Sequence, residues 1–89
     1  KLSPPFPNPC NPAAFLQVSG KSGARVHVSV FDLAGRRLRD AILETDQEGK
    51  AGFRFDGRDR RGRRLPAGLY RVVVQDETGL AARTLTLLK

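Results

Sequence analysis

The chain has 89 residues, a formal net charge of +7, one cysteine, and neither Met nor Trp. That length supports one domain around a single core, and a lone cysteine excludes an intrachain disulfide. No apolar run approaches the roughly 20 residues of a membrane-spanning helix, and the first residues carry no signal-peptide hydrophobic region. The core has to come from Val, Leu, Ile, Ala and a few Phe. A basic balance of this kind fits nucleic acid, an anionic membrane surface or an acidic polysaccharide. The alternative, which scattered Arg at strand positions favours, is that Arg is simply this chain's default solvent-facing residue.

Residues 1–12 contain Pro4, Pro5, Pro7, Pro9 and Pro12. Proline fixes its own φ and holds the preceding residue extended, so this stretch reads as a Pro-rich linker or N-terminal arm ahead of a domain spanning residues 13–89. A chain opening on such a stretch is expected to be the C-terminal piece of a longer one. Cys10 lies inside it and is expected either to be buried as a small hydrophobe or to pair with another chain.

From Ala13 the period is two, the signature of strands with one buried and one solvated face. Leu16 and Val18 alternate with Phe15 and Gln17. After a Ser/Gly/Lys turn at residues 19–23, Val26, Val28 and Val30 alternate with Arg25, His27 and Ser29. Asp32-Leu-Ala-Gly35 reads as a hairpin turn, with Gly35 free to take positive φ. The return strand, Arg36 to Leu43, has a blurred alternation. Thr45 to Gly49 is a polar turn, and Lys50 to Phe55 is the next strand.

Asp56-Gly57 then opens a long loop punctuated by Gly62, Pro66 and Gly68. Asp-Gly favours a tight turn, because Gly accepts positive φ and Asp hydrogen-bonds its own backbone two residues on. Leu69 to Gln75 follows as a strand with Tyr70, Val72 and Val74 on one face. Asp76 to Gly79 reads as a four-residue loop. Leu80 to Leu88 closes the chain, with Leu85 and Leu87 opposite Thr84 and Thr86. Six such strands with regular turn signals predict an antiparallel sandwich or barrel, with no internal repeats. The expected inward set is Leu16, Val18, Val26, Val28, Val30, Phe53, Phe55, Tyr70, Val72, Val74, Leu85 and Leu87.

Catalysis has little to work with. The single histidine, His27, sits mid-strand opposite the apolar face, and a nucleophilic triad needs a base beside its nucleophile. One Cys and one His on different segments do not make a zinc site. Asp56, Asp59 and Asp76 offer carboxylates for calcium, but Arg58, Arg60 and Arg61 crowd the first two. Those Asp residues are better read as capping turn amides and pairing with Arg. Asp32, Gly35, Asp56, Gly57, Asp59, Gly62 and Gly68 are the expected turn-fixing positions. No cofactor and no metal are expected.

Arg58, Arg60, Arg61, Arg63 and Arg64 form the best binding candidate, since guanidinium groups grip phosphates and carboxylates bidentately. No aromatic lies inside that loop to stack on bases, so sequence-specific nucleic-acid recognition is not expected.

Four motifs in order carry a resemblance. Phe6-Pro-Asn-Pro-Cys-Asn-Pro12 resembles an opening YPNPFNP. Val26-x-Val-x-Val-Phe-Asp-Leu-x-Gly-Arg36 resembles VxLxVYDxxGR. Phe55-Asp-Gly-Arg-Asp59 with Gly62 and Gly68-Leu-Tyr70 resembles WDGxDxxGxxxxxGxY, and the chain runs out on Leu87-Leu-Lys89 in a similar way. The sequence is similar to the immunoglobulin-like domain of flagellar hook-capping proteins (FlgD) and of the C-terminal sorting domains of type IX (Por) secretion substrates. Cys10 and Phe55 stand where that family has Phe and Trp. The resemblance implies an immunoglobulin-like antiparallel β-sandwich of six to seven strands. It also implies a non-catalytic sorting or anchoring module of an exported protein, secreted or on the cell surface, whose partner is secretion machinery or another protein. Two alternatives stay open. One is a structural or self-assembling subunit that uses the N-terminal arm and sheet edges, with a copy of itself as partner. The other is a polyanion-binding module using the Arg58–Arg64 loop. Membrane insertion is not expected.

Overall fold

The computed structural model describes residues 1–11, 13–77 and 79–88. Its strands are β1 (Ala14–Ser19), β2 (Arg25–Phe31), β3 (Arg37–Glu44), β4 (Lys50–Phe55), β5 (Gly68–Asp76) and β6 (Gly79–Leu87). They form two sheets, β1–β4 and β3–β2–β5–β6, with every pairing antiparallel. Strands on both sheets alternate buried and exposed positions, and their inner faces meet in one core. The whole expected inward set lies in that core, because the side-chain period of two leaves each strand only one apolar face to bury.

The core also takes in Leu2, Cys10 and Ala14. Two of these belong to the Pro-rich stretch, which lies along its own sandwich. The Phe6 and Phe15 N–H groups donate to each other's carbonyls at 2.9 and 2.8 Å, and Ser3 N–H donates to Gln17 O at 2.9 Å. Leu2 pairs with Val18 in the same antiparallel sense. Further along, the stretch crosses to the other sheet. Cys10 pairs in parallel with Leu87, its N–H donating to Thr86 O at 2.9 Å while its carbonyl accepts from Leu88 N–H at 2.8 Å. Asn8 Oδ1 accepts from Thr86 N–H at 2.9 Å. On β6, the Arg83 guanidinium holds the Leu2 carbonyl with two N–H groups at 3.0 and 2.8 Å. Backbone bonds form at the non-proline residues because proline has no N–H to donate. The same prolines keep the outer rim of the stretch from templating another strand. Pro12 lies outside the described residues.

Three turns are copies of one five-residue unit, Asp-x-x-Gly-Arg/Lys. It occurs at Asp32–Arg36, Asp46–Lys50 and Asp59–Arg63. The first joins the paired strands β2 and β3, the second carries the chain from one sheet to the other, and the third lies within the β4–β5 loop. In each, the Asp N–H donates to the carbonyl four residues on (3.1, 2.9 and 2.9 Å), and the Gly N–H returns to the Asp carbonyl (3.1, 3.0 and 2.9 Å). The amide four residues on donates to Asp Oδ1 at 2.9, 3.0 and 3.0 Å. The glycines take φ of 86°, 79° and 82°. This is a three-residue turn closed by a left-handed glycine, with the carboxylate capping the amides the turn leaves open. The expectation of no internal repeat therefore needs correcting at this short scale. The spacing was present in the sequence, but flanking residues differ enough to hide it.

Strand β3 departs from the expected alternation at one place. Val30 pairs with Arg39 and Phe31 with Arg37, so Leu38 is an extra residue on the sheet edge. Such a bulge breaks the period of two and frees a carbonyl. The Leu38 carbonyl takes Arg60 N–H at 3.0 Å, which fastens the Arg-rich loop to the edge.

Thr45 is buried although the sequence places it in a polar turn. Its hydroxyl donates to Lys21 O and accepts from Ala24 N–H at 2.8 Å, tying the β1–β2 and β3–β4 turns together. The β5–β6 connection is tighter than expected, with strand pairing reaching Asp76 and Gly79. Thr78, within it, is outside the described residues, as is Lys89 of the terminal motif.

Candidate interaction site

The Arg58–Arg64 loop is a built structure. Arg58 and Arg64 pair as a short bridge, and Leu65 N–H donates to Gly57 O at 2.9 Å. Between them stands the Asp59 turn, whose Oδ1 also accepts Arg61 N–H at 2.9 Å. At its base, Asp56 Oδ1 accepts Arg58 N–H at 3.1 Å and an Arg39 guanidinium N–H at 2.7 Å. The same Arg39 nitrogen donates to the Arg58 carbonyl at 3.0 Å.

Arg39 is absent from the expected site residues. No local signal marked it: strand pairing across the bulge sets it opposite Val30, an inward position where a charge needs a partner. Partial burial pulls the Asp56 carboxyl upward, but the Arg39 guanidinium and the Arg58 amide outweigh it, so its pKa ends below the ordinary value. Asp59 is held below its ordinary value first by the Arg63 amide, then by the Arg61 amide and the Arg63 charge.

The five arginines do different jobs. Arg58 turns its guanidinium back onto Gly62 O at 2.9 Å. Arg63 sits 3.4 Å from Asp59. Arg60, Arg61 and Arg64 are exposed, and their guanidinium groups have no hydrogen-bond or ion-pair partner among the described residues. The candidate cluster thus divides into two arginines that brace the loop and three that the loop presents. Phe53, Phe55 and Tyr70, which flank it in sequence, are all buried.

Tyr70 closes the loop on its far side. Its hydroxyl donates to the Pro66 carbonyl, four residues upstream, and its ring lies 6.4 Å from that of Phe55. A tyrosine at a strand start bonding back to nearby backbone is the tyrosine corner of immunoglobulin-type sandwiches. Of the remaining turn-fixing candidates, Gly57 lies in the bend after β4 at φ 77°, whereas Gly68 is not in a turn: it is the first residue of β5, paired with Leu87, at φ 155°.

His27 is exposed on the outer face of β2, across from Ile42 and Gln75. Asp56 and Asp59 are engaged as described, and Asp76 lies at the far end of β5. No group of three or more His, Cys, Asp or Glu is placed to hold a metal among the described residues. Cys10 is wholly buried, and burial raises its thiol pKa. Pairing it with another chain would require the Pro-rich stretch to lift off β6.

The sequence profile of the FlgD Ig-like domain matches residues 13–79, most of the chain. This chain belongs to that family. Three solved structures share the fold of this FlgD-type domain. Dimeric latent PorU from Porphyromonas gingivalis superposes with a TM-score of 0.70 at 22% identity, over 94% of this chain and 9% of that one. FlgD from Xanthomonas campestris, described for the hook capping essential for flagellar assembly, gives 0.68 at 25% identity over 96% and 64%. PorZ, an essential surface component of the type-IX secretion system of P. gingivalis, gives 0.62 at 19% identity over 96% and 11%. The chain therefore spans less than two thirds of each. No curated protein matches it significantly.

Proposed function

We propose that this FlgD-type domain is a non-catalytic protein-interaction module that sorts or anchors an exported bacterial protein, delivering it to the cell surface or beyond. One observation carries the reading: the family match runs over residues 13–79, covering β1 to β5 and ending where β6 begins. The occurrence of the fold in a type-IX surface component supports the sorting half.

The self-assembly alternative has an observation against it. The Pro-rich stretch, the natural donor to a neighbour's sheet, already occupies the edges of its own β1 and β6. Exchange would first have to release Leu2 and Cys10 from this chain's own core.

The test is a fusion of this domain to the C-terminus of an exported fluorescent reporter, in a bacterium with a type IX apparatus. Surface or extracellular reporter, absent when an unrelated immunoglobulin-type sandwich is fused instead, is the expected result. Equal periplasmic retention of both fusions overturns the sorting reading.

A further inference from the structure

Between the Arg58–Arg64 loop and the end of β6 lies a cleft of about 410 Å³. Its size is that of a ligand site, not of a packing defect. The wall toward the loop carries Arg58 and Arg64, and the rest is mostly apolar: Leu65, Ala67, Leu87 and the half-exposed Leu88. We propose that this cleft binds an acidic peptide segment of a partner protein, seating one apolar side chain against Leu65 and Leu88 and a neighbouring carboxylate on Arg64. The proposal rests on the interaction-module reading and names the partner's chemistry.

Charge complementarity selects the occupant. Asp56 also lines the cleft, but its charge is taken up by Arg39 and by the Arg58 amide. The Arg64 guanidinium has no internal partner among the described residues, and Arg58 spends one N–H direction on Gly62 O. Both therefore have donors left for a carboxylate, which guanidinium binds in a fork of two parallel bonds. The apolar wall asks for a side chain as well as a charge, which a bare polyanion does not supply. A single-stranded nucleic acid gains most of its hold beyond charge from aromatics on which bases stack, and the rings flanking this loop are buried. The loop is already braced by Asp56, Asp59 and Arg39, so binding orders few new groups.

The experiment uses the full 89-residue chain and fluorescence anisotropy at physiological salt. The probe is a short, end-blocked, fluorescein-labelled peptide alternating Asp and Leu. One control peptide replaces Leu by Ser, another replaces Asp by Asn, and heparin and a single-stranded oligonucleotide are the polyanion arms. The mixed peptide should bind best, with either control weaker by about tenfold or more. Arg64→Ala and Leu88→Ser should each cost about tenfold, whereas Arg61→Ala, the same charge lost from the same loop outside the cleft, should cost less than about twofold. Urea midpoints of the variants establish that they are folded. Equal losses from Arg61→Ala and Arg64→Ala would reduce the site to a diffuse basic field and overturn the proposal. So would heparin or the oligonucleotide binding as tightly as the mixed peptide, or the mixed peptide failing to bind. Reporter delivery without peptide binding overturns the cleft alone, and peptide binding without delivery supports the cleft while overturning sorting.

Discussion

The Asp46–Lys50 and Asp59–Arg63 turns are the same object locally and different objects in the fold. Both have an Asp whose carboxylate caps the amides two and four residues on, and both have a left-handed glycine. Around Gly62 there is open space: a Cβ added there meets nothing within 4 Å. Around Gly49 there is none, because the same atom would lie 2.0 Å from the Gly20 carbonyl oxygen. Gly20 N–H in turn donates to Gly49 O at 2.8 Å, so the two turns are in backbone contact. A turn's shape is thus a local matter, while its tolerance of change is set by what the rest of the chain puts beside it. One turn became a structural joint and the other a display loop.

Gly49→Ala should show the largest effect. A left-handed alanine costs about 1–2 kcal/mol, and the backbone clash adds an overpacking cost of about 1–3 kcal/mol. Gly62→Ala should pay the conformational part alone, about 1–2 kcal/mol. Urea midpoints that fall equally for the two variants would break the comparison.

Thr45→Val probes the same joint from its other side. It keeps the shape but leaves Lys21 O and Ala24 N–H without their buried partner. A loss of about 1–3 kcal/mol in urea unfolding is expected. A neutral result would mean that water or backbone shift replaces the hydroxyl.

Acid should act on what the turns share. Asp46 and Asp59 are both held below their ordinary pKa, first by the amides of Lys50 and Arg63 respectively. A carboxyl with a depressed folded-state pKa contributes stability above its unfolded value of about 3.9. That contribution is lost as pH falls through the lowered value. Urea midpoints should therefore hold steady near neutrality and drop once the pH passes below the ordinary carboxylate range. Asp46→Ala and Asp59→Ala should each flatten that drop, and a slope unchanged in both would show that other carboxylates carry it. The smallest effect belongs to Arg61→Ala, whose guanidinium projects from the display loop into solvent. Its urea midpoint should match that of the unaltered protein, and a clear loss would mean that the loop is not free at its tip.

The strands and their faces were legible because period-two patterning is a local property of each segment. Val26, Val28 and Val30 have to share a face whatever they pack against. The Asp32, Asp56 and Asp59 caps were legible for a similar reason, since their partners lie within four residues. Leu38 was not, because a bulge is defined by the strand opposite. The site was half legible. An Arg-rich loop could be found from composition, but its division into Arg58 and Arg63 as braces and Arg60, Arg61 and Arg64 as presented groups depends on where each side chain finds an acceptor. Arg39 came from another strand, and Leu88 from the far end of the chain.

Sequence alone determined that this is an all-β chain, where its strands run, which side chains face inward and which turns its Asp and Gly residues close. Those follow from steric limits on φ and from the alternation of side chains along a strand. Only the tertiary structure decided that the Pro-rich stretch folds back to bury Leu2 and Cys10, that Thr45 is interior, that Gly49 tolerates no Cβ while Gly62 does, and that Arg64 looks into an apolar cleft. Each of these depends on atoms distant in sequence brought to contact. No local pattern encodes such contacts, because either residue alone is compatible with being exposed.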